Sequence, residues 1–177
     1  PPIPGLESVK YLASREILQL SEMPGELTIL GAGYIGIEFA AFFATMGIKV
    51  TVVELMPEIL PGMDKDISQF VKQDLSGKNI EFILNSRIVK IDKNNLYADK
   101  PDSAGAEQTV IPFKNLLIST GRKSSVNGFG LENTGVEYNN NGIKTHVNCR
   151  TNIPNIYAAG DVNGLSMLAH TAYREAE

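Results

Sequence analysis

The stretch Leu27–Glu54 limits what this chain can fold into more than any other part of it. It opens with the apolar run 27–30, passes through three glycines in G-x-G-x-x-G spacing, continues as an amphipathic segment and closes with the β-branched run 49–53. A strand, a glycine-rich turn, a helix and a second strand in that order predict a β-α-β unit with a phosphate-binding first turn.

The three glycines have different predicted tasks. Gly31 lets the chain turn sharply out of the first strand, Gly33 lets the backbone approach a pyrophosphate, and Gly36 lets the helix pack closely on the sheet. The first-turn amides of the helix have no partners within it, so they offer hydrogen bonds and partial positive charge to an anion. The alternative interpretation is an α/β turn that binds no ligand.

Glu54 ends the second strand about 20 residues after the first glycine, where a carboxylate can accept both hydroxyls of an adenosine ribose. The same carboxylate would repel a 2′-phosphate, and the following Leu55 and Met56 supply no arginine to receive one. The sequence therefore predicts NAD rather than NADP.

Composition excludes several classes of function. The chain has 177 residues, 43% of them hydrophobic, and a net charge of -4 without a basic run, which argues against nucleic acid and anionic membranes as partners. No apolar stretch approaches the length of a membrane span. The single cysteine, Cys149, allows no internal disulfide, and His146 and His170 form no cluster, so we expect no metal site. We expect a soluble, cytoplasmic protein excised from a longer chain, because it opens with a proline-rich segment and not with a methionine and a signal sequence.

Patterns elsewhere predict the remaining elements. A helix capped by Asp64 and a third strand complete a β-α-β-α-β half. Alternating runs without an intervening helix then predict an antiparallel meander, interrupted by a turn-rich segment at 101–107, before a buried strand returns. The predicted fold is an α/β, Rossmann-like parallel sheet flanked by helices with an antiparallel β-meander crossover. The further predicted strands are 79–84, 87–92, 95–100, 108–112, 114–119, 143–147 and 156–161, and the further predicted helices are 65–76 and 168–177.

Side chains in and after the glycine-rich turn allow two interpretations each. Glu38 is either a solvated charge near the helix N-terminus or a residue beside the cofactor, and Tyr34 is either a surface aromatic or a lid. Gly121 is either a plain turn glycine or a point of close approach to the other half of the cofactor. Apolar residues at steps of three and four predict a sheet-facing stripe on the helix, namely Ile35, Phe39, Phe42, Phe43 and Met46.

Three separated segments together resemble one family. They are the glycine motif with Tyr34 and Glu38, the turn Thr120-Gly121-Arg122, and the run Ile156–Asp161 followed by Met167–His170. The combination is similar to the flavoprotein pyridine nucleotide-disulfide oxidoreductases. Within that family, the string Leu168-Ala169-His170 and the segment 53–62 most resemble the dihydrolipoamide dehydrogenases.

The resemblance implies site residues for two cofactors. Tyr34 would cover the flavin until NADH displaces it, Glu38 would lie beside nicotinamide and flavin, and Asp161 would hydrogen-bond FAD. His170 would be a positioning residue and not a base. The residues implied for NAD are Gly31, Ala32, Gly33, Tyr34, Ile35, Gly36, Glu38, Glu54 (ribose), Ile88 (adenine) and Gly121 (nicotinamide side). Those implied for FAD are Asp161 and the amides of Met167, Leu168, Ala169 and His170.

The resemblance also implies what this chain lacks. The family's first glycine-rich FAD motif, its redox cysteine pair and its C-terminal interface domain have no counterpart here. We expect residues 1–25 to be a linker and short helix leading from a missing FAD-binding portion, 26–148 to be an NAD-binding domain, and 149–177 to be a returning edge of the FAD-binding domain. The expected partners are the small-molecule cofactors and the missing FAD and interface domains of a homodimeric parent.

The implied reaction is hydride transfer between NAD and flavin, coupled to a dithiol and disulfide. No catalytic residue is expected in this chain, which would be inactive alone, with FAD bound only in the full-length parent. Two alternatives stay open. In the first alternative, the parent would be an NADH oxidase or a CoA-disulfide reductase. In the second, the chain would be a stand-alone NAD-binding sensor module.

Overall fold

A computed structural model describes residues 2–100 and 108–177 of the chain. The chain forms two compact units, one ending at Gly121 and the other comprising Arg122–Glu177. The predicted turn-rich segment 101–107 lies outside the described residues. The α-helices are α1 (Ser14–Ile17), α2 (Tyr34–Thr45), α3 (Lys65–Ser76) and α4 (Ala169–Ala176). The strands are β1 (Glu26–Leu30), β2 (Lys49–Val53), β3 (Ile80–Ile83), β4 (Arg87–Asp92), β5 (Asn95–Asp99), β6 (Thr109–Pro112), β7 (Leu116–Ile118), β8 (Tyr138–Asn139) and β9 (Gly142–Ile143).

The first unit is built on a four-stranded parallel sheet in the order β3-β2-β1-β7. The register pairs Leu30 at the end of β1 with Val53 at the end of β2 and with Ile118 at the end of β7. The carboxyl ends of these strands therefore meet at one edge, which is where open α/β sheets bind ligands.

Alternation along the strands divides the core of this unit between two faces. Leu27 and Ile29 pack with α2 and α3 in one cluster, whereas Leu30 and Val53 pack with the meander in a second cluster. Each fully buried Leu or Ile side chain stabilises the fold by roughly 1.5–3 kcal/mol, so both layers hold the sheet in place. The meander β4-β5-β6 is antiparallel, with a register shift between Ile88 and Lys90.

The second unit has little regular structure. The hairpin β8-β9 packs with a small apolar cluster that includes Val126, Leu131, Val136 and Ile143. A turn of 3₁₀ helix, Gly160–Asn163, precedes α4 in the chain.

The predicted α/β class, parallel sheet and meander are confirmed. Three details are wrong. Of the predicted strand 143–147 only Ile143 lies in a strand, because the chain then turns, with the Cys149 amide donating to the His146 carbonyl oxygen over 3.0 Å. The predicted strand 156–161 forms a single bridge, between Tyr157 and Arg150, because the chain enters the 3₁₀ turn Gly160–Asn163 directly afterwards. In the predicted stripe on α2, Phe42 and Met46 are more than half exposed. The buried face of the helix instead consists of Gly36, Ile37, Ala40, Phe43 and Ala44.

Candidate functional site

The turn between β1 and α2 is locked to its neighbours by short backbone contacts. The Gly31 amide donates to the Val53 carbonyl oxygen over 2.9 Å, and Gly31 has φ of 107°. A Cβ added at Gly31 would lie 2.6 Å from the Ser119 carbonyl oxygen. Both the left-handed backbone and the lack of space therefore require glycine at this position.

Gly36 brings the first turn of α2 against the same segment. A Cβ at Gly36 would lie 2.0 Å from the Gly31 carbonyl oxygen and 2.8 Å from the Ser119 hydroxyl. That hydroxyl lies 3.0 Å from the Gly31 carbonyl oxygen and 3.1 Å from the Leu30 carbonyl oxygen. The glycine-rich turn, α2 and the end of β7 thus interlock without a gap for a methyl group.

Gly33 is different, because a Cβ there would meet no atom within 4 Å. Gly33 is the N-cap residue of α2, and its backbone is extended with φ of -73°. The space above it is open, and the first-turn amides of α2 have no acceptors within the helix. An anion placed over Gly33 would meet those amides and the positive end of the helix dipole.

Glu54 follows β2 and is buried, with 8% of its surface exposed. Its Oε2 atom accepts a hydrogen bond of 2.6 Å from the Ala32 amide, and its Oε1 atom accepts one of 2.9 Å from the Met56 amide. Each carboxylate oxygen retains further lone pairs for a ligand hydroxyl. The Ala32 amide, predicted to contact the cofactor, is already occupied by Glu54.

A crevice of about 370 Å³ opens at this edge of the sheet. It brings together five of the residues predicted for NAD, namely Gly31, Gly33, Glu54, Ile88 and Gly121. Sequence reasoning missed several residues that also line it, which include Leu55, Pro61, Ser86, Arg87, Ser119 and Thr120. Ser86 and Arg87 could have been predicted from their position shortly after β3, because β3 pairs with β2 in parallel and ends at the same edge of the sheet.

The other predicted NAD residues lie outside this crevice. Ala32 and Gly36 are buried, Ile35 is half-buried, and Tyr34 is 41% exposed. Glu38 borders a separate, mainly apolar groove with Phe39 and Phe42. Glu38 and Glu54 thus border different cavities, and the resemblance assigned them to different ends of the nucleotide, Glu38 to the nicotinamide and Glu54 to the adenine ribose.

In the second unit, Asp161 lies in the 3₁₀ turn with a half-exposed side chain. Arg122 Nη2 is 3.7 Å from Asp161 Oδ2. Leu168 is the N-cap residue of α4, and Ala169 and His170 are the first two helical residues. The predicted FAD residues 167–170 therefore do lie at a helix start, where backbone amides are available to a negatively charged group.

None of the helices in residues 2–100 and 108–177 has the length and apolar character needed to cross a bilayer. Within the same residues, no three His, Cys, Asp or Glu side chains come together as metal ligands.

Comparison with known proteins decides the family. The sequence model of one protein family, the pyridine nucleotide-disulphide oxidoreductases, matches residues 1–176 of the chain. The chain belongs to this family. Among curated pyridine nucleotide-disulphide oxidoreductases, the dihydrolipoyl dehydrogenase of Acholeplasma laidlawii is 38% identical over 99% of the chain, and the leghemoglobin reductase of Glycine max is 37% identical over 96%. The flavoprotein disulfide reductase RclA of Escherichia coli, induced by HOCl, superposes with a TM-score of 0.80 at 32% identity over 99% of the chain.

The chain spans only part of each of these pyridine nucleotide-disulphide oxidoreductases. It covers 52% of the Acholeplasma protein, 34% of the soybean protein and 40% of RclA. The predicted resemblance, to the family and to dihydrolipoyl dehydrogenases within it, is confirmed.

Proposed function

We propose that this chain is the NAD(H)-binding part of an FAD-dependent disulfide oxidoreductase of the dihydrolipoyl dehydrogenase type. The observation that carries the proposal is the crevice at the carboxyl edge of the parallel sheet. There the open space over Gly33 lies in the same crevice as the Glu54 carboxylate. A diphosphate needs the first feature and an adenosine ribose needs the second.

Each residue of the crevice has a task in this proposal. The first-turn amides of α2 bind the pyrophosphate, and the free lone pairs of Glu54 accept the ribose hydroxyls. Ile88 covers the adenine from the side of β4, and Gly121 leaves room for the nicotinamide half, since a Cβ there would meet no atom within 4 Å. NAD supplies a hydride acceptor when bound. The chain's own residues orient it.

Arg87 complicates the preference for NAD. Arg87 lines the same crevice as Glu54, so a positively charged residue that the sequence did not reveal near Leu55 is supplied by the start of β4. With Glu54 ionised, a 2′-phosphate meets a carboxylate that both repels it and occupies its place. NAD is therefore the preferred cofactor, and the preference depends on Glu54.

The second unit would contribute to FAD in the same protein. Asp161 presents a half-exposed carboxylate that can accept a hydrogen bond from a flavin hydroxyl, and the start of α4 offers amides to the isoalloxazine. The redox disulfide must come from outside this chain, because Cys149 is the single cysteine in its sequence. The isolated chain is accordingly expected to bind NAD and to catalyse no disulfide reduction.

Calorimetric titration of NAD and NADP into the chain tests the nucleotide site. Glu54→Gln should weaken NAD binding by about 1–3 kcal/mol, because a charged acceptor of the ribose hydroxyls is lost. NADP binding should strengthen, and adding Arg87→Ala to that variant should weaken NADP again.

A control is needed because Glu54 also holds the Ala32 and Met56 amides. An NAD analogue without the ribose 2′-hydroxyl should bind the wild-type chain more weakly than NAD, whereas the Gln variant should bind both about equally. An equal loss for both ligands on mutation would mean that Glu54 shapes the turn and does not contact the ribose.

A further inference from the structure

A single carboxylate on α4 holds the turn that carries Asp161. Glu175 Oε2 accepts a hydrogen bond of 2.6 Å from the Gly160 amide and one of 2.8 Å from Asn163 Nδ2. These donors lie at the two ends of the 3₁₀ turn Gly160–Asn163. The turn is therefore tied to the helix at both ends through one oxygen atom.

The rest of the turn is fixed from other directions. Asn163 is buried, and its Oδ1 atom accepts from the Leu165 amide over 2.9 Å. Ser124 Oγ lies 2.8 Å from the Asp161 carbonyl oxygen. Gly160 has φ of 78°, and a Cβ there would lie 3.0 Å from the Cβ of Ala172 on α4. Glu175 thus holds the residues that flank Asp161 in the turn, and Ser124 holds the Asp161 carbonyl oxygen, while the Asp161 carboxylate stays half exposed near Arg122.

We propose that Glu175 is a positioning residue that directs the Asp161 side chain. The contact of Asp161 with a flavin hydroxyl rests on the function proposed above. Its positioning by Glu175 does not. Hydrogen bonds to an ionised acceptor are stronger than those between neutral groups. Without the Glu175 side chain, the Gly160 amide and the Asn163 side chain lose their shared acceptor, and the turn is free to rotate Asp161 away from its direction.

Amide exchange measured by NMR on this chain tests the positioning. Glu175→Ala should speed exchange at Gly160 by at least about tenfold, because a charged hydrogen bond is lost. Glu175→Gln keeps an oxygen of the same reach, so it should restore most of the protection. Glu177→Gln is the matched control, since Glu177 is a mainly exposed glutamate at the end of the same helix. Equal Gly160 exchange in the Ala variant and the Glu177 control would overturn the proposal.

FAD and NAD binding, measured in the full-length protein that contains this chain, tests whether the positioning by Glu175 matters for cofactor binding. Glu175→Ala should weaken FAD binding at least about tenfold while NAD affinity stays within about twofold, since the NAD crevice lies in the other unit. Glu175→Gln should retain FAD, an outcome that general loss of helix packing would not produce. Retention of FAD by the Ala variant would overturn the proposal. If the wild-type protein held no flavin, the proposed function would fail, and Gly160 exchange would still decide the positioning.

Discussion

Gly36 is the third residue of α2 and lies where the helix touches the glycine-rich turn. Two effects of a methyl group there oppose each other. Alanine raises helix propensity by about 1 kcal/mol relative to glycine. It would also place Cβ at 2.0 Å from a backbone oxygen, which cannot move without shifting Gly31 and the end of β7. The clash exceeds the gain in propensity.

The first residue-scale prediction compares Gly36→Ala with Gly33→Ala. Gly36→Ala should lower the free energy of unfolding by about 1–3 kcal/mol or more, as overpacking does. Gly33→Ala should cost less than about 1 kcal/mol, because the site is open and the backbone is extended. It should nevertheless weaken NAD binding by placing a methyl group where the pyrophosphate is expected. Urea denaturation and NAD titration of both variants measure these effects, and equal loss of stability would contradict the assignment of different tasks.

At this scale the spacing of the motif revealed much of the site. The tasks of Gly31 and Gly36 follow from a turn and a close helix, and the structure shows both contacts. Arg87 was missed because its place in the crevice depends on the pairing of β3 with β2, which joins residues far apart in sequence. The double use of Glu54, as acceptor for Ala32 and Met56, also needed coordinates.

The hairpin β4-β5 is an element stabilised by one polar cluster. The Tyr97 hydroxyl donates to Asp92 Oδ2 over 2.6 Å, and the Asn95 amides donate to Asp92 Oδ1 over 3.2 Å. The hydrogen bond from Tyr97 lowers the pKa of Asp92 below 3.8, although desolvation opposes it, with smaller lowering contributions from Asn94 and Asn95. The same hydrogen bond raises the pKa of Tyr97 above 10.0, reinforced by desolvation and the charge of Asp92.

These pKa shifts predict two pH limits for the hairpin. The contribution of Asp92 to stability is complete above pH 3.8 and is lost as the pH falls through the lowered pKa. The contribution of Tyr97 is complete below pH 10.0 and is lost as the pH rises through the raised pKa. Tyr97→Phe should move the pKa of Asp92 up toward its ordinary value, as measured by carboxyl ¹³C chemical shift. An unchanged Asp92 pKa in that variant would show that the hydroxyl does not form this bond in solution. Asp92→Asn is the reciprocal variant, and it should lower the pKa of Tyr97.

Helix α2 shows why one element was assigned the wrong face. Its buried residues include Gly36, Ala40 and Ala44, small side chains spaced four apart that let the helix approach the sheet closely. The larger Phe42 and Met46 are on the exposed side. Because the helix is apolar on both sides, periodicity could identify a helix but could not choose the face that packs.

At the scale of the whole molecule, the chain divides after Gly121, earlier than the boundary expected between 148 and 149. The later position was implied by the family resemblance, which assigned 149–177 to a returning edge of the FAD-binding domain. The assignment of 1–25, 26–148 and 149–177 to linker, NAD and FAD portions stays a prediction. Residues 122–148 pack with 149–177 through a shared cluster, which local sequence patterns do not reveal.

A truncation tests the independence of the first unit. A chain ending at Gly121 should unfold cooperatively and bind NAD within about twofold of the full chain, because all crevice residues precede the cut. A chain ending at Pro112 is the matched control. It lacks β7 and the buried Leu116 and Leu117, so it should not fold. Loss of NAD binding in the longer truncation would show that the second unit is needed for the site.

The interlocked turn and the two hydrogen-bonded oxygens of Glu54 also have a consequence for the kinetics of nucleotide binding. The backbone around Gly31 and the Glu54 carboxylate are held by the protein's own hydrogen bonds. Little conformational entropy is left to lose on association. We therefore expect diffusion and displacement of solvent to set the rate at which a nucleotide binds, with little movement of the main chain around Gly31.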